Sequence, residues 1–166
     1  MKILILFRHS ESGWKSENGD DHERSLTDKG IEVAKKMGAY LSNIQSIPDL
    51  IISSTALRAK STSELAKKEG RWDSEIRLES GIYGGNLSFL IKLAQSQDNH
   101  IDSICFTGHE PYFSSFISRV TNQENVYFPT ASIAKINFMV SDWRNIDFCN
   151  AELDWLIKPQ DLLDLK

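Results

Sequence analysis

The chain is short of the features that mark several protein classes, and each shortage removes one of them. Only two cysteines occur, Cys105 and Cys149. Two isolated thiols make neither a disulfide framework nor a zinc site, so both are expected as reduced residues of a core. The four prolines, Pro48, Pro111, Pro129 and Pro159, are scattered. With no repeat and no low-complexity tract, residues 1–166 read as one domain. The longest apolar run, Ile3-Leu4-Ile5-Leu6-Phe7, is far too short to span a bilayer. Arg8-His9 follows it directly, where a secretory leader would carry a cleavage region. No basic excess exists either: 19 Lys and Arg stand against 23 Asp and Glu, a net charge of −4. No nucleic-acid partner and no membrane partner is expected. A pocket for a small anion is not excluded, because net charge does not describe a cleft. The expectation is a cytoplasmic protein with no structural metal, burying roughly 70% of its unfolded surface.

What is present is alternation of strand and helix patterns. Lys2–Phe7 is a continuous β-type run, as in a strand covered on both faces. Arg8–Ser25 is polar and reads as a surface loop. Thr27 caps a helix on which Ile31, Ala34, Met37 (or Gly38) and Leu41 share a face. Asp49–Ser53 is a second strand, and Ser54 or Thr55 caps a helix over roughly Ala56–Lys68. Ile76–Leu78 is a short strand, Asn86–Gln95 a helix with Leu87, Leu90, Ile91 and Ala94 as its stripe, and Ser103–Thr107 another strand. Pro111 sits in the first turn of the next helix, whose core face is Phe113, Phe116, Ile117 and Val120. Ile133–Val140 and Asn145–Ile157 read as a closing strand pair, with Ala151, Leu153, Trp155 and Ile157 alternating against Glu152, Asp154 and Leu156. The order predicts an α/β fold: a three-layer α/β/α sandwich with a mostly parallel central sheet and an antiparallel edge strand.

In such sheets ligands bind beyond the carboxyl ends of the strands. Arg8 and His9 follow the first strand. Ser53-Ser54 follows the second, with Arg58 in the first turn of the next helix. His109 follows Ser103–Thr107. Each feature alone is common and means little; their placement after three separate strands is what points to chemistry. Two guanidiniums match phosphoryl oxygens bidentately, and a helix start adds backbone donors. His9 in such a cluster attacks phosphorus, its pKa held below about 6.5 by surrounding positive charge. His109 helps to neutralise the equatorial oxygens, with no metal and no cofactor required.

Four blocks carry a family resemblance across nearly the whole chain. Phe7-Arg8-His9-Ser10 resembles the Arg-His-Gly signature of the histidine phosphatase superfamily. Ser25-Leu26-Thr27-Asp28-Lys29-Gly30 is similar to its Pro-Leu-Thr-x-x-Gly helix entry. Ser53-Ser54-Thr55-Ala56-Leu57-Arg58-Ala59-Lys60-Ser61-Thr62 resembles its Ser-Ser-x-x-x-Arg-Ala-x-x-Thr block, and Thr107-Gly108-His109-Glu110-Pro111 its Gly-His-x-Pro block. Glu79–Tyr83 and Thr130–Ala134 are softer supports. Length and ending look most like the SixA-type phosphohistidine phosphatases. The resemblance implies a phosphoglycerate mutase-like fold, a phosphohistidine intermediate on His9, and Arg8, Arg58 and His109 as phosphate clamp. Ser10 replaces the usual glycine or alanine: its hydroxyl either contacts substrate or only begins the loop, and the second is favoured. Ser25 replaces a proline.

Ester-cleaving members use a carboxylate to protonate the leaving oxygen. Glu79 is the nearest candidate here, Glu11 another. Phosphohistidine needs less help, because its leaving imidazole can already carry a proton near neutral pH. Residues 10–26 and 108–132 are short for substrate-capping insertions, so a shallow pocket open to a phosphorylated protein side chain is expected. The favoured substrate is phosphohistidine on a protein. The rivals are a phosphomonoesterase or mutase on a small phosphorylated metabolite, and a non-catalytic phosphate- or phosphoprotein-binding module. Trp14 either contacts substrate or packs the loop down. His22 and His100 read as solvated loop residues, and Asn86 as a helix cap.

Overall fold

Strand β1 (Lys2–Arg8) is buried on both faces because both sides of its side-chain alternation are apolar. Leu4 and Leu6 enter one hydrophobic cluster, and Ile5 and Phe7 the other. The computed structural model describes residues 1–14, 16–149 and 151–163. Around β1 it builds a six-stranded sheet in the order β3-β2-β4-β1-β5-β6. The other strands are β2 (Leu50–Ser53), β3 (Glu75–Leu78), β4 (Ser103–Gly108), β5 (Ile133–Phe138) and β6 (Ala151–Ile157). β1 to β4 are parallel to one another; β5 is antiparallel to β1 and β6 to β5.

Helices cover both faces. The side carrying Ile5 and Phe7 packs on α1 (Asp28–Asn43) and α2 (Leu57–Gly70) through Met37, Leu41 and Ala66. The other side packs on α3 (Leu87–Gln95) and α4 (Tyr112–Thr121) through Leu90, Ile91, Phe113, Phe116 and Ile117. The short α5 (Pro159–Leu163) leans on the α1–α2 side through Leu162. Expected caps are present: Thr27 accepts from Gly30 N–H and Asn86 from Phe89 N–H. Neither Ser54 nor Thr55 caps α2; Ala56 stands at its N-cap, and the Ser54 hydroxyl accepts the Ala56 N–H instead. Pro111 is the residue before α4 rather than within its first turn. Among the described residues no helix is long and apolar enough to cross a membrane.

The carboxyl-terminal third departs most from expectation. Residues 145–149 do not continue β6. A 3-10 turn at Trp143–Asn145 drives the Trp143 indole into the core, where its N–H donates to Ile101 O at 2.6 Å. Ile146 is buried beside it. β5 likewise stops at Phe138 rather than Val140. Nor do Ala151, Leu153, Trp155 and Ile157 share a face. The pairing shifts between Lys135 and Ile136, leaving Asp154 as an extra residue. Such a bulge swaps the faces of the residues beyond it. Ala151 and Leu153 therefore meet the α3–α4 cluster, while Trp155 and Ile157 meet the α1–α2 cluster. Of the two cysteines, Cys105 is core but Cys149 is exposed.

α1 and α2 cross closely at Gly38, where an added Cβ would run into the Ala66 carbonyl. Gly38→Ala removes an unfavourable helix residue, worth about 1 kcal/mol. Overpacking two backbones costs more, about 1–3 kcal/mol. The variant is therefore expected to unfold at lower denaturant concentration than the parent, despite its better helix propensity.

Candidate active site

The sheet order explains the site. β2, β4 and β1 are neighbours, so their carboxyl ends lie side by side. Main-chain bonds extend the ladder past the strands: His9 N–H donates to Gly108 O at 3.0 Å and Ser54 N–H to Thr107 O at 2.9 Å. Arg8, His9, Arg58 and His109 consequently line one cleft of about 610 Å³. The His9 and His109 ring centroids are 5.3 Å apart. His9, Arg58 and His109 are only 5–7% exposed.

Each of the four side chains is tied to the protein at one end. His9 Nδ1 lies 2.8 Å from Ser10 O. A carbonyl can only accept, so Nδ1 carries the proton and Nε2 keeps a lone pair. Arg8 donates through Nη1 to Phe128 O at 3.0 Å. Arg58 donates through Nη1 to Asp21 O at 2.8 Å and through Nη2 to Asp21 Oδ2 at 3.2 Å. His109 Nε2 is 2.8 Å from Ser54 Oγ. Three further nitrogens, Arg8 Nε, Arg58 Nε and His109 Nδ1, are buried and have no hydrogen-bond partner among the described residues. Buried polar atoms of this kind are costly unless something pairs with them. A tetrahedral oxyanion in the cleft is the chemistry that suits them.

Both imidazoles are neutral near pH 7. Burial pulls His9 down to about 4, opposed by the Ser10 carbonyl and assisted by the charges of Arg58, Arg8 and Arg24. Charge alone was the expected cause; desolvation is the larger one. His109 falls to about 3, again mainly through burial, then through His9 and Arg58.

The segment 10–26 forms one side of the cleft. The Ser10 hydroxyl donates to Gly30 O at 2.7 Å and its N–H to Thr62 Oγ1 at 2.9 Å, a fully buried anchor turned away from substrate. Gly30 is needed here because a Cβ would strike the Glu11 carbonyl. Further along, a 3-10 turn at Asp21–Glu23 reaches Arg58. The Asp21 carboxylate also accepts from Tyr83 OH at 2.7 Å. That bond, then the Arg58 and Arg24 charges, holds its carboxyl below the usual range. His22 is not a solvated loop residue: its ring meets Tyr83 edge-on and its Nε2 lies 2.8 Å from Thr55 Oγ1. His100 is exposed as expected. Trp14 does not pack the loop down; it is 93% exposed at the cleft rim.

Neither expected acid stands free beside the imidazoles. Glu79 accepts from Gly81 N–H at 3.0 Å and does not line the cleft. Glu11 lines it but accepts from Thr27 Oγ1 at 3.1 Å and faces Lys29 at 3.8 Å. Sequence reasoning passed over Asp21, Arg24, Ser54, Tyr83 and Glu110 as site residues. Glu110 and Ser54 adjoin the functional blocks and could have been found by position. Asp21 and Arg24 lie in an aperiodic polar loop whose path no pattern predicts.

Residues 4–83 match the sequence profile of the histidine phosphatase superfamily, branch 1. By that match, over just under half of its length, the chain is similar to the histidine phosphatase superfamily. The matched stretch holds Arg8, His9 and Arg58, and β4 brings His109 to them. The chain is 25% identical over 159 residues to the uncharacterized protein ML1117 of Mycobacterium leprae, covering 88% of this chain and 95% of that one. It is 37% identical over 109 residues to the 2,3-bisphosphoglycerate-dependent phosphoglycerate mutase of Erythrobacter litoralis, covering 61% of this chain and 47% of the mutase. The chain thus spans about half the length of that enzyme. In fold it resembles the protein histidine phosphatase SixA complexed with tungstate, with a TM-score of 0.84 and 19% identity over 96% of this chain and 99% of that one.

The low histidine pKa values set a pH dependence. A neutral His9 is the reactive form, so kcat/KM is expected to stay level from neutrality downward and fall as pH drops through about 4. A rate that already halves near the ordinary 6.5 would contradict this. Stability follows the same sign. Below 6.5 the unfolded chain takes up protons that buried His9 and His109 refuse, so denaturant resistance should decline between there and about 3–4.

Proposed function

We propose that this protein is a cytoplasmic, metal-independent phosphatase acting through a phosphohistidine on His9. The single observation carrying the reading is the His9 ring, protonated at Nδ1 by its bond to Ser10 O, with three unpartnered buried nitrogens in the same cleft. The Nε2 lone pair forms a bond to phosphorus as the bond to the leaving group breaks, and the leaving group departs with the electron pair. Arg8, Arg58 and His109 bind the three oxygens on which charge spreads. Water then attacks phosphorus, the P–N bond breaks, its electrons return to Nε2, and inorganic phosphate leaves.

The favoured substrate is phosphohistidine on a protein. Glu79 caps a turn outside the cleft, and the two glutamates that line it, Glu11 and Glu110, each already accept a hydrogen bond, from Thr27 Oγ1 and from the Ser114 N–H, so among the described residues an acid for an alkoxide leaving group is poorly supplied. An imidazole that can leave with its own proton needs none. The likeness to SixA supports the same choice. A second reading, a phosphomonoesterase or mutase on a small metabolite, is favoured by the likeness to phosphoglycerate mutase.

A labelled phosphodonor should leave alkali-stable, acid-labile label on His9. His9→Ala should abolish labelling and turnover, and unchanged rates in that variant would refute the mechanism. Arg58→Ala should lower kcat by roughly 10²–10³, the scale of a lost oxyanion donor. EDTA should have no effect. A phosphohistidine peptide should be cleaved with higher kcat/KM than phosphoglycerate; the reverse preference would favour the metabolite reading.

A further inference from the structure

The geometry points to Ser54 as a positioning residue that fixes which nitrogen of His109 carries the proton and so presents an N–H, not a lone pair, to the phosphoryl group. The inference rests on the phosphatase reading of the cleft, but its first test does not.

A neutral imidazole has one N–H and one lone pair, and the hydrogen bond at one nitrogen decides the state of the other. His109 Nε2 lies 2.8 Å from Ser54 Oγ. Either partner of that contact could donate. The surroundings of Ser54 decide between them. Its Oγ already accepts from Ala56 N–H at 3.2 Å. Among the described residues the hydroxyl proton has no acceptor other than His109 Nε2. Ser54 is fully buried, so solvent supplies no alternative. Its main chain is held too, N–H to Thr107 O at 2.9 Å and O from Ser53 Oγ at 2.9 Å. The satisfied arrangement has Ser54 donating to Nε2, which leaves the proton on Nδ1.

Nδ1 is buried as well and has no hydrogen-bond partner among the described residues. In this tautomer it donates to a phosphoryl oxygen. In the other it would aim a lone pair at an anion inside a low-dielectric cleft, replacing a hydrogen bond by repulsion. Protonation of the whole ring would also supply the donor. His9, Arg8, Arg58, Asp21 and Tyr83 all face His109, and the cationic neighbours outweigh Asp21. Burial and those charges keep the free ring neutral, so the tautomer matters. His9 and His109 are thus set alike as Nδ1–H rings, but in His9 that N–H is taken by Ser10 O, whereas in His109, on a ring that lines the cleft, it has no partner among the described residues.

The test is the ¹⁵N spectrum of the histidine-labelled free chain at neutral pH, with the His109 signals assigned by their loss in His109→Gln. The expected result is a protonated Nδ1 and a bare Nε2. In Ser54→Ala the tautomer should shift towards protonated Nε2. A bare Nδ1 in the parent chain overturns the proposal, even if the variant fails to fold. An unchanged Nδ1–H tautomer in a folded Ser54→Ala chain also overturns it. Turnover of a phosphohistidine peptide gives a second readout. Ser54→Ala should lower kcat roughly tenfold to hundredfold, short of losing the donor outright. An unchanged kcat in a folded Ser54→Ala chain would overturn the proposal. Absence of turnover in the parent would refute the phosphatase reading while the spectrum still decides the tautomer.

Discussion

The hydrogen bond between His9 Nδ1 and the Ser10 carbonyl is the constraint on which the site depends. It joins adjacent residues, so it needs no long-range assembly. It nonetheless turns a titratable ring into a directed lone pair. Burial then keeps that lone pair free of a proton. Without the bond, the ring could present either nitrogen. Without the burial, the nearest acid would occupy the one it presented. The loop beyond β1 is shaped around this need, with Ser10 pinned to Gly30 and Thr62 so that its carbonyl cannot swing away.

The same logic recurs around the cleft. Phe128 O, Asp21 and Ser54 each hold one end of a cationic or imidazole side chain and leave another nitrogen unsatisfied. Long side chains lose entropy when ordered. Here that loss is taken during folding, against protein oxygens, before any ligand arrives. The unsatisfied nitrogens are the folding cost of a cleft made ready for an anion.

Much of this was legible because a parallel sheet converts sequence position into spatial position. Residues that follow β1, β2 and β4 must share a rim if those strands are neighbours, and Arg8, His9, Arg58 and His109 do. The alternating elements and the Thr27 and Asn86 caps were equally readable, being local. What escaped was set by tertiary geometry. The bulge at Asp154 re-aims Trp155 without altering the apolar alternation that suggested a flat strand. Trp143 and Ile146 are apolar and near a strand, yet a turn buries them. Asp21 meets Arg58 across 37 residues of chain, a pairing that no local pattern encodes. Burial outweighed charge in lowering the His9 pKa, and depth is invisible until the sheet is covered.

The strand order carries a consequence for how the molecule is made. β4 lies between β1 and β2, although it follows both in the chain. A growing polypeptide that has delivered Arg8, His9 and Arg58 still lacks the strip that joins their two strands. Until residues 103–108 emerge, those side chains belong to separate, unzipped pieces. Closing the gap means bringing together stretches about a hundred positions apart, a slow step for topologies rich in distant contacts. Reactivity at His9 therefore arrives late in synthesis, together with the whole sheet.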